Sequence, residues 1–193
     1  DPVGYSVELW KQLGELGLAG LLLPEEYGGA AQGFLEGVIL YEELGRSLAP
    51  VPHFGSAVLC GRALARAGSR EQQEHWLRRI ASAEVIFTPA WLEPRGGFDP
   101  MGVQLEARAV GEAFELRGTK HAVSMAGAAD RLLVLARTGP APDAIHLFLV
   151  DPRASGVRVS QQKTMASDAQ FEVRFEGVTV GAQDRVGASG TGW

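Results

Sequence analysis

Leu92-Glu93-Pro94-Arg95-Gly96-Gly97-Phe98-Asp99 is the stretch whose reading decides the fold. It follows the apolar run Val85-Ile86-Phe87, bends through Pro94 and the glycine pair, and ends on Asp99-Pro100, a turn-starting pair. Farther along, Lys120-His121-Ala122-Val123-Ser124-Met125-Ala126 reads as a β segment that ends in a hydroxyl. Strand alternation turns His121 outward relative to Ala122, and sets Trp91 and Leu92 on opposite sides of the chain.

Working outward toward the C-terminus, the β character continues. Residues 103–110 alternate in part, 113–120 alternate better, and 131–137 form a dense apolar run. Segments at 145–150, 157–160 and 171–175 follow, separated by Gly, Pro and Asp turns. Short strands with frequent turns predict a mostly antiparallel barrel or sandwich.

Toward the N-terminus the period changes to that of helices. Leu9, Leu13 and Leu16 form a stripe over residues 7–18, flanked by Trp10 and Lys11. A second helix is expected over 34–48, with Leu35, Val38, Ile39 and Leu44 as its buried face, ended by Pro50 and Pro52. A third is expected over 55–67. Ser69 and Gln72 then have the spacing of a capping box, in which a hydroxyl and a side-chain amide each satisfy a backbone N–H, and a fourth helix continues through Trp76, Leu77 and Ile80. The period changes near Ala83. The chain is therefore read as α+β: an all-α domain over 1–84 and a mostly antiparallel β domain over 85–193.

The bulk properties narrow the function. An apolar fraction of 46% in 193 residues supports a packed core. A net charge of −5 argues against a nucleic-acid partner, which calls for a basic face. No apolar run approaches the roughly 18 residues of a membrane span, and the acidic start lacks the basic region of a signal peptide, so a cytoplasmic location is expected. The single cysteine, Cys60, lies in an apolar run and reads as a buried, inert thiol. His53, His75, His121 and His146 lack ligand-like spacing, so no metal site is expected. No G-x-S-x-G elbow is present. Gly187, Gly190 and Gly192 have no helix after them and read as a linker rather than a phosphate loop. Glu42-Glu43 reads as a solvated helix face, and Glu93 as a residue that holds its loop.

The two quoted segments resemble the flavin-contacting segments of the acyl-CoA dehydrogenase family, T-E-P-x-x-G-S-D and W-I-T/S-N. Weaker likenesses occur in matching order: Glu15-Leu16-Gly17-Leu18 to Gly29, Glu42-Glu43-Leu44-Gly45, Gly68-Ser69 with Gln72 and Trp76, Val173 to Val178, and Gly190 to Trp193. The resemblance covers the family's first two domains, helical and β. It implies FAD-dependent α,β-dehydrogenation of an acyl-CoA or carrier-bound acyl thioester in lipid metabolism, with an external electron-transfer acceptor and a homo- or hetero-oligomer. The family's catalytic glutamate belongs to a third domain with no counterpart here, so no catalytic residue is expected in this segment. Carried over by position, the cofactor-binding candidates are Trp91, Leu92, Gly97, Phe98, Ala122, Val123 and Ser124. Three depart from the family pattern: Leu92 stands for a threonine, Phe98 for a serine and Ala122 for the tryptophan that packs on the flavin. Each lost hydrogen bond or aromatic contact is worth roughly 0.5–1.5 kcal/mol. These departures support a second expectation, a non-catalytic partner subunit that has lost its own flavin site. Ser124 keeps the hydroxyl and is expected to face a pocket with Gly97 and Phe98.

Overall fold

The computed structural model describes residues 4–166, 168–188 and 191–193. It divides into two compact units, Asp1–Phe87 and Thr88–Trp193.

The first unit is helical. Helix α1 (Val7–Glu15) is capped by the Ser6 side chain, which accepts from the Leu9 N–H. It stops one turn short of the expected end, because Gly17 takes a left-handed φ of 72°. Its buried face also differs from the expected stripe: Trp10 and Leu13 enter the core with Ala19 and Ile86, whereas Leu16 is exposed. Helix α2 (Phe34–Arg46) brings the larger correction. Phe34, Leu35, Val38 and Ile39 are 64%, 70%, 53% and 58% exposed, and only Leu44 of the expected face packs against the Trp10 cluster. Helical spacing correctly marks an apolar stripe there, but spacing carries no information on what covers it. A contiguous exposed apolar patch of this kind marks an interaction surface.

A π-helical segment (Phe54–Gly61) runs directly into α3 (Arg62–Ala67), and α4 (Arg70–Ala81) follows. The capping box at α4 is formed as read: Ser69 Oγ accepts from the Gln72 N–H at 3.2 Å, and Gln72 Oε1 accepts from the Ser69 N–H at 3.0 Å. Two buried polar side chains in this unit have partners. Ser56 Oγ accepts from the Phe87 N–H at 3.0 Å. His53 places Nε2 3.1 Å from the Leu18 carbonyl and Nδ1 2.7 Å from the Tyr41 hydroxyl. A carbonyl only accepts, so Nε2 carries the proton and Nδ1 accepts from Tyr41 in a neutral ring.

The second unit is one eight-stranded sheet. Its strands are β1 (Phe87–Ala90), β2 (Glu106–Val110), β3 (Ala113–Ser124), β4 (Arg131–Arg137), β5 (Ile145–Val150), β6 (Val157–Gln162), β7 (Gln170–Val180) and β8 (Arg185–Val186). The order is β6-β7-β3-β2-β4-β5-β8, with β1 also paired to β4. Every pairing with a defined register is antiparallel except β2–β4, a parallel contact at Glu106 and Arg137. Strand β4 reads as a continuous apolar run because both its faces are covered. Leu132, Val134 and Ala136 join Leu116, Val123, Phe148, Phe171 and Val173 in the main core, while Leu135 packs with Val103 and Ile145.

Candidate functional site

The loop after β1 begins at Trp91. Leu92 is half-buried, Glu93 is buried, and residues 94–99 are exposed, Phe98 at 88%. The glycines are needed within the loop itself. A Cβ on Gly96 would lie 2.5 Å from the Gly102 carbonyl, and one on Gly102 would collide with the Gly97 backbone. At Gly97 a Cβ would meet only the Asp99 carboxylate, at 3.6 Å, so its outer side is open. Asp99 starts a turn as read: Oδ1 accepts from the Gly102 N–H at 2.9 Å and opens a short 3-10 turn (Pro100–Gly102).

The loop is fixed to β3 by polar bonds. The Leu92 carbonyl accepts from the His121 N–H at 3.0 Å. Lys120 Nζ donates to the Trp91 carbonyl at 3.1 Å and to Glu93 Oε1 at 2.7 Å. Glu93 also accepts from the Gln104 N–H, at 3.0 and 3.1 Å to its two oxygens, and from the Leu105 N–H at 3.0 Å. The expectation that Glu93 holds its loop understates this: it is one half of a buried ion pair. Lys120 is 0% exposed. Burial pushes its ammonium below the ordinary lysine range, against the opposing pull of Glu93.

The pair was missed in the sequence, although a signal was present. Alternation through Leu116 and Gly118 puts Lys120 on the core face, and an inward lysine requires an acidic partner. The structure also corrects the reading of His121. The β3–β7 register slips between Lys120 and Val123, where three residue steps on β3 face two on β7, from Val173 to Phe171. This bulge inserts one extra residue and reverses the parity of the strand. Core-facing residues are even-numbered before it (Leu116, Lys120) and odd-numbered after it (Val123). Ala122 therefore lies exposed with a left-handed φ of 48°, its N–H donating to Gln162 Oε1 at 3.1 Å, while His121 is half-buried.

Val123 packs in the main core, so only its backbone is left to meet a ligand. Ser124 is exposed, and its hydroxyl accepts from Gln170 Nε2 at 3.1 Å, which leaves the Ser124 hydroxyl hydrogen to donate elsewhere. The Ser124 carbonyl accepts from the Thr88 hydroxyl at 2.6 Å. The structure thus joins the Trp91–Glu93 segment to Lys120–His121. Gly97 and Phe98 lie on the exposed bend, and Ser124 on the outer face of β3.

This donor set suits the polar edge of a flavin. Among the described residues, no acceptor is found for the N–H groups of Leu92, Gly97 and Phe98. With the Ser124 hydroxyl they are donors of the kind that the carbonyl and ring-nitrogen acceptors of an isoalloxazine and the oxygens of a pyrophosphate would take. What is missing is an aromatic side chain at Ala122.

Among the described residues, no group of three or more His, Cys, Asp or Glu side chains is placed to hold a metal ion, and no helix is long and apolar enough to cross a membrane. Cys60 is fully buried, and burial pushes its thiol far up. Glu42 and Glu43 are exposed, with Glu43 paired to Arg46 at 3.4 Å. Gly190 lies outside the described residues, while Gly192 donates its N–H to the Ile145 carbonyl at 3.1 Å.

The chain is thus a helical unit followed by a mostly antiparallel β unit, with a glycine-bent loop bonded to a bulged strand. Family models match in the same order: the acyl-CoA dehydrogenase N-terminal domain over residues 3–84 and the middle domain over residues 89–178. The chain belongs to the acyl-CoA dehydrogenase family. It is 33% identical to the mitochondrial isovaleryl-CoA dehydrogenase of Pongo abelii over 194 aligned positions, covering 96% of this chain and 46% of that protein. The ChsE4–ChsE5 complex of Mycobacterium tuberculosis superposes with a TM-score of 0.86 at 33% identity, over 95% of this chain and 48% of the other. A glutaryl-CoA dehydrogenase of Mycobacterium smegmatis, solved in complex with FADH2, superposes with a TM-score of 0.85 at 28% identity, over 97% and 49% of the two chains. The chain thus spans about half the length of the relatives it matches.

Proposed function

We propose that this chain forms the helical and β domains of an FAD-dependent dehydrogenase that introduces a Cα–Cβ double bond into an acyl-CoA or carrier-bound acyl thioester. The observation that carries this reading is the bonding of the Leu92 loop to the bulged end of β3. It fixes two segments, and each keeps a donor with no acceptor among the described residues, the Leu92 N–H and the Ser124 hydroxyl. Bound FAD supplies the hydride acceptor. This chain's residues hold and orient it: the Leu92, Gly97 and Phe98 N–H groups as backbone donors, and the Ser124 hydroxyl as a donor oriented by Gln170. Donors fixed by the fold in this way would be in place before the group is bound. None of these residues is assigned as the base that takes the α-proton. The exposed stripe on α2 supports an oligomer or a further domain as the working form, and an external electron acceptor completes the cycle.

A second reading has its own support. Ala122 offers no ring, and Phe98 adds bulk where the family has a small hydroxyl. Both favour a partner subunit that keeps the fold without its own flavin, and one relative was solved as a two-protein complex. Flavin stoichiometry on the purified full-length protein separates the readings. The proposal expects FAD on this chain and dye reduction by an acyl-CoA. Absence of flavin from the isolated protein, with flavin appearing only on a co-purified second chain, overturns it in favour of the partner subunit.

A further inference from the structure

We infer that the buried Lys120–Glu93 pair is a positioning device for the cofactor edge, and not only an element of the core. This rests on the flavin reading above. Two peptide planes flank Leu92. The Trp91 carbonyl accepts from Lys120 Nζ and the Leu92 carbonyl accepts from the His121 N–H, so both planes are held from the β3 side. In a trans peptide the carbonyl and the following N–H point in opposite directions. Holding the Trp91 carbonyl on Lys120 therefore turns the Leu92 N–H away from the core. It is one of the N–H groups left without an acceptor among the described residues.

The same ammonium meets Glu93, whose two oxygens collect the Gln104 and Leu105 N–H groups. One pair thus joins three segments: the loop after β1, the lead into β2, and β3 immediately before its bulge. The bulge decides where the outer face of β3 points, and Ser124 stands on that face. An apolar pair would fill the same core volume. It would not hold the Trp91 carbonyl or set the rotation of the Leu92 peptide. Replacing a buried ion pair by apolar groups is often neutral for stability. The feature that distinguishes the charged pair here is direction.

The test uses the full-length protein with Glu93→Gln, Lys120→Met and the double variant. Each single variant orphans a buried polar partner and is expected to lower the melting temperature. The double variant removes both charges, keeps a side-chain carbonyl for the Gln104 and Leu105 N–H groups, and is expected to melt above both single variants, since no buried charge is left without its partner. Positioning then shows in measurements that a purely structural role leaves unchanged. FAD affinity in the double variant is expected to fall by roughly tenfold, with a shifted flavin absorption band. Amide exchange at His121, which needs no flavin, is expected to accelerate over wild type. A double variant that melts, exchanges and binds FAD as wild type does overturns the inference. Wild-type protein that binds no flavin overturns the flavin reading itself, and His121 exchange then still decides whether the pair positions the Leu92 peptide.

Discussion

Substitution of Glu93 by alanine tests the buried pair directly. It leaves the Lys120 ammonium, 0% exposed, without its carboxylate at 2.7 Å, and it strips the Gln104 and Leu105 N–H groups of their acceptor. Removing one partner of a buried pair costs about 3–5 kcal/mol. That is a large share of a domain's total stability, and even about 3 kcal/mol corresponds to a fall in Tm of roughly 12 °C or more. The pH dependence carries a sign that tests the cause. Burial lowers the Lys120 pKa and Glu93 opposes this, so the variant's folded pKa lies further below the unfolded value near about 10.4. A group with a depressed folded pKa contributes stability that is present above the unfolded pKa and lost as the pH falls through the folded one. The deficit of Glu93→Ala against wild type should therefore be greater near about pH 7 than near about pH 9.5, because the variant's folded amine gives up its proton at a lower pH than the wild type's. Urea unfolding followed by circular dichroism at the two pH values measures it. A loss below about 1 kcal/mol near neutrality, or a gap that widens with pH, would refute the assignment of a buried, charge-bearing pair.

Three further outcomes are expected. Ser124→Ala should weaken FAD by roughly tenfold, the equivalent of one hydrogen bond of about 1.4 kcal/mol, in a flavin titration of the full-length protein; unchanged affinity would remove Ser124 from the cofactor wall. Phe98→Ser and Ala122→Trp should each strengthen FAD, since one restores a small hydroxyl and the other a stacking face; if neither does so, the cofactor reading of this surface fails. Burial holds the His53 and His146 imidazoles below their ordinary range, with Arg185 adding to the effect at His146. Both carry stability that is present above the unfolded value near about 6.5 and lost as the pH falls through the folded one, so urea midpoints should drop between pH 7.5 and 5.5, and a His53→Gln/His146→Gln variant should show a flatter slope.

The sequence exposes most of the β unit because a strand with one buried face writes its parity into the chain, and a strand covered on both faces reads as a dense apolar run. Residues 113–120 and the dense run at 131–137 are where β3 and β4 lie. The capping box at Ser69 is legible for a similar reason, since its two hydrogen bonds depend only on local spacing. Three features lie beyond such reading. The bulge at His121–Ala122 adds a residue, and alternation alone cannot register the change of parity. The π-helical turn over Phe54–Gly61 shares its apolar composition with an ordinary helix. The stripe on α2 is correctly apolar, but its cover is not encoded in its own period. The Lys120–Glu93 pair occupies a middle ground. Parity places the lysine inward, yet its carboxylate comes from a loop that only the folded chain brings to it.

Position within the strand also explains how a chain of this family departs from its pattern at the cofactor segments and still folds. The core face of β3 is carried by Leu116, Lys120 and Val123, all buried. The outer face carries Ala122 and Ser124, and the bend carries Gly97 and Phe98, all exposed. Exchanges at exposed positions of this kind usually move stability by less than about 0.5 kcal/mol, whereas losses in the core cost several times more. Folding therefore constrains Lys120 and Glu93 strongly and Phe98 and Ala122 hardly at all. Ala122 has a left-handed φ of 48°, and its N–H donates to Gln162 Oε1 at 3.1 Å, contacts made by its backbone alone. An aromatic residue introduced there would meet the same left-handed backbone, whose Cβ crowding alanine already bears. For that reason Ala122→Trp probes the cofactor surface with the fold held constant.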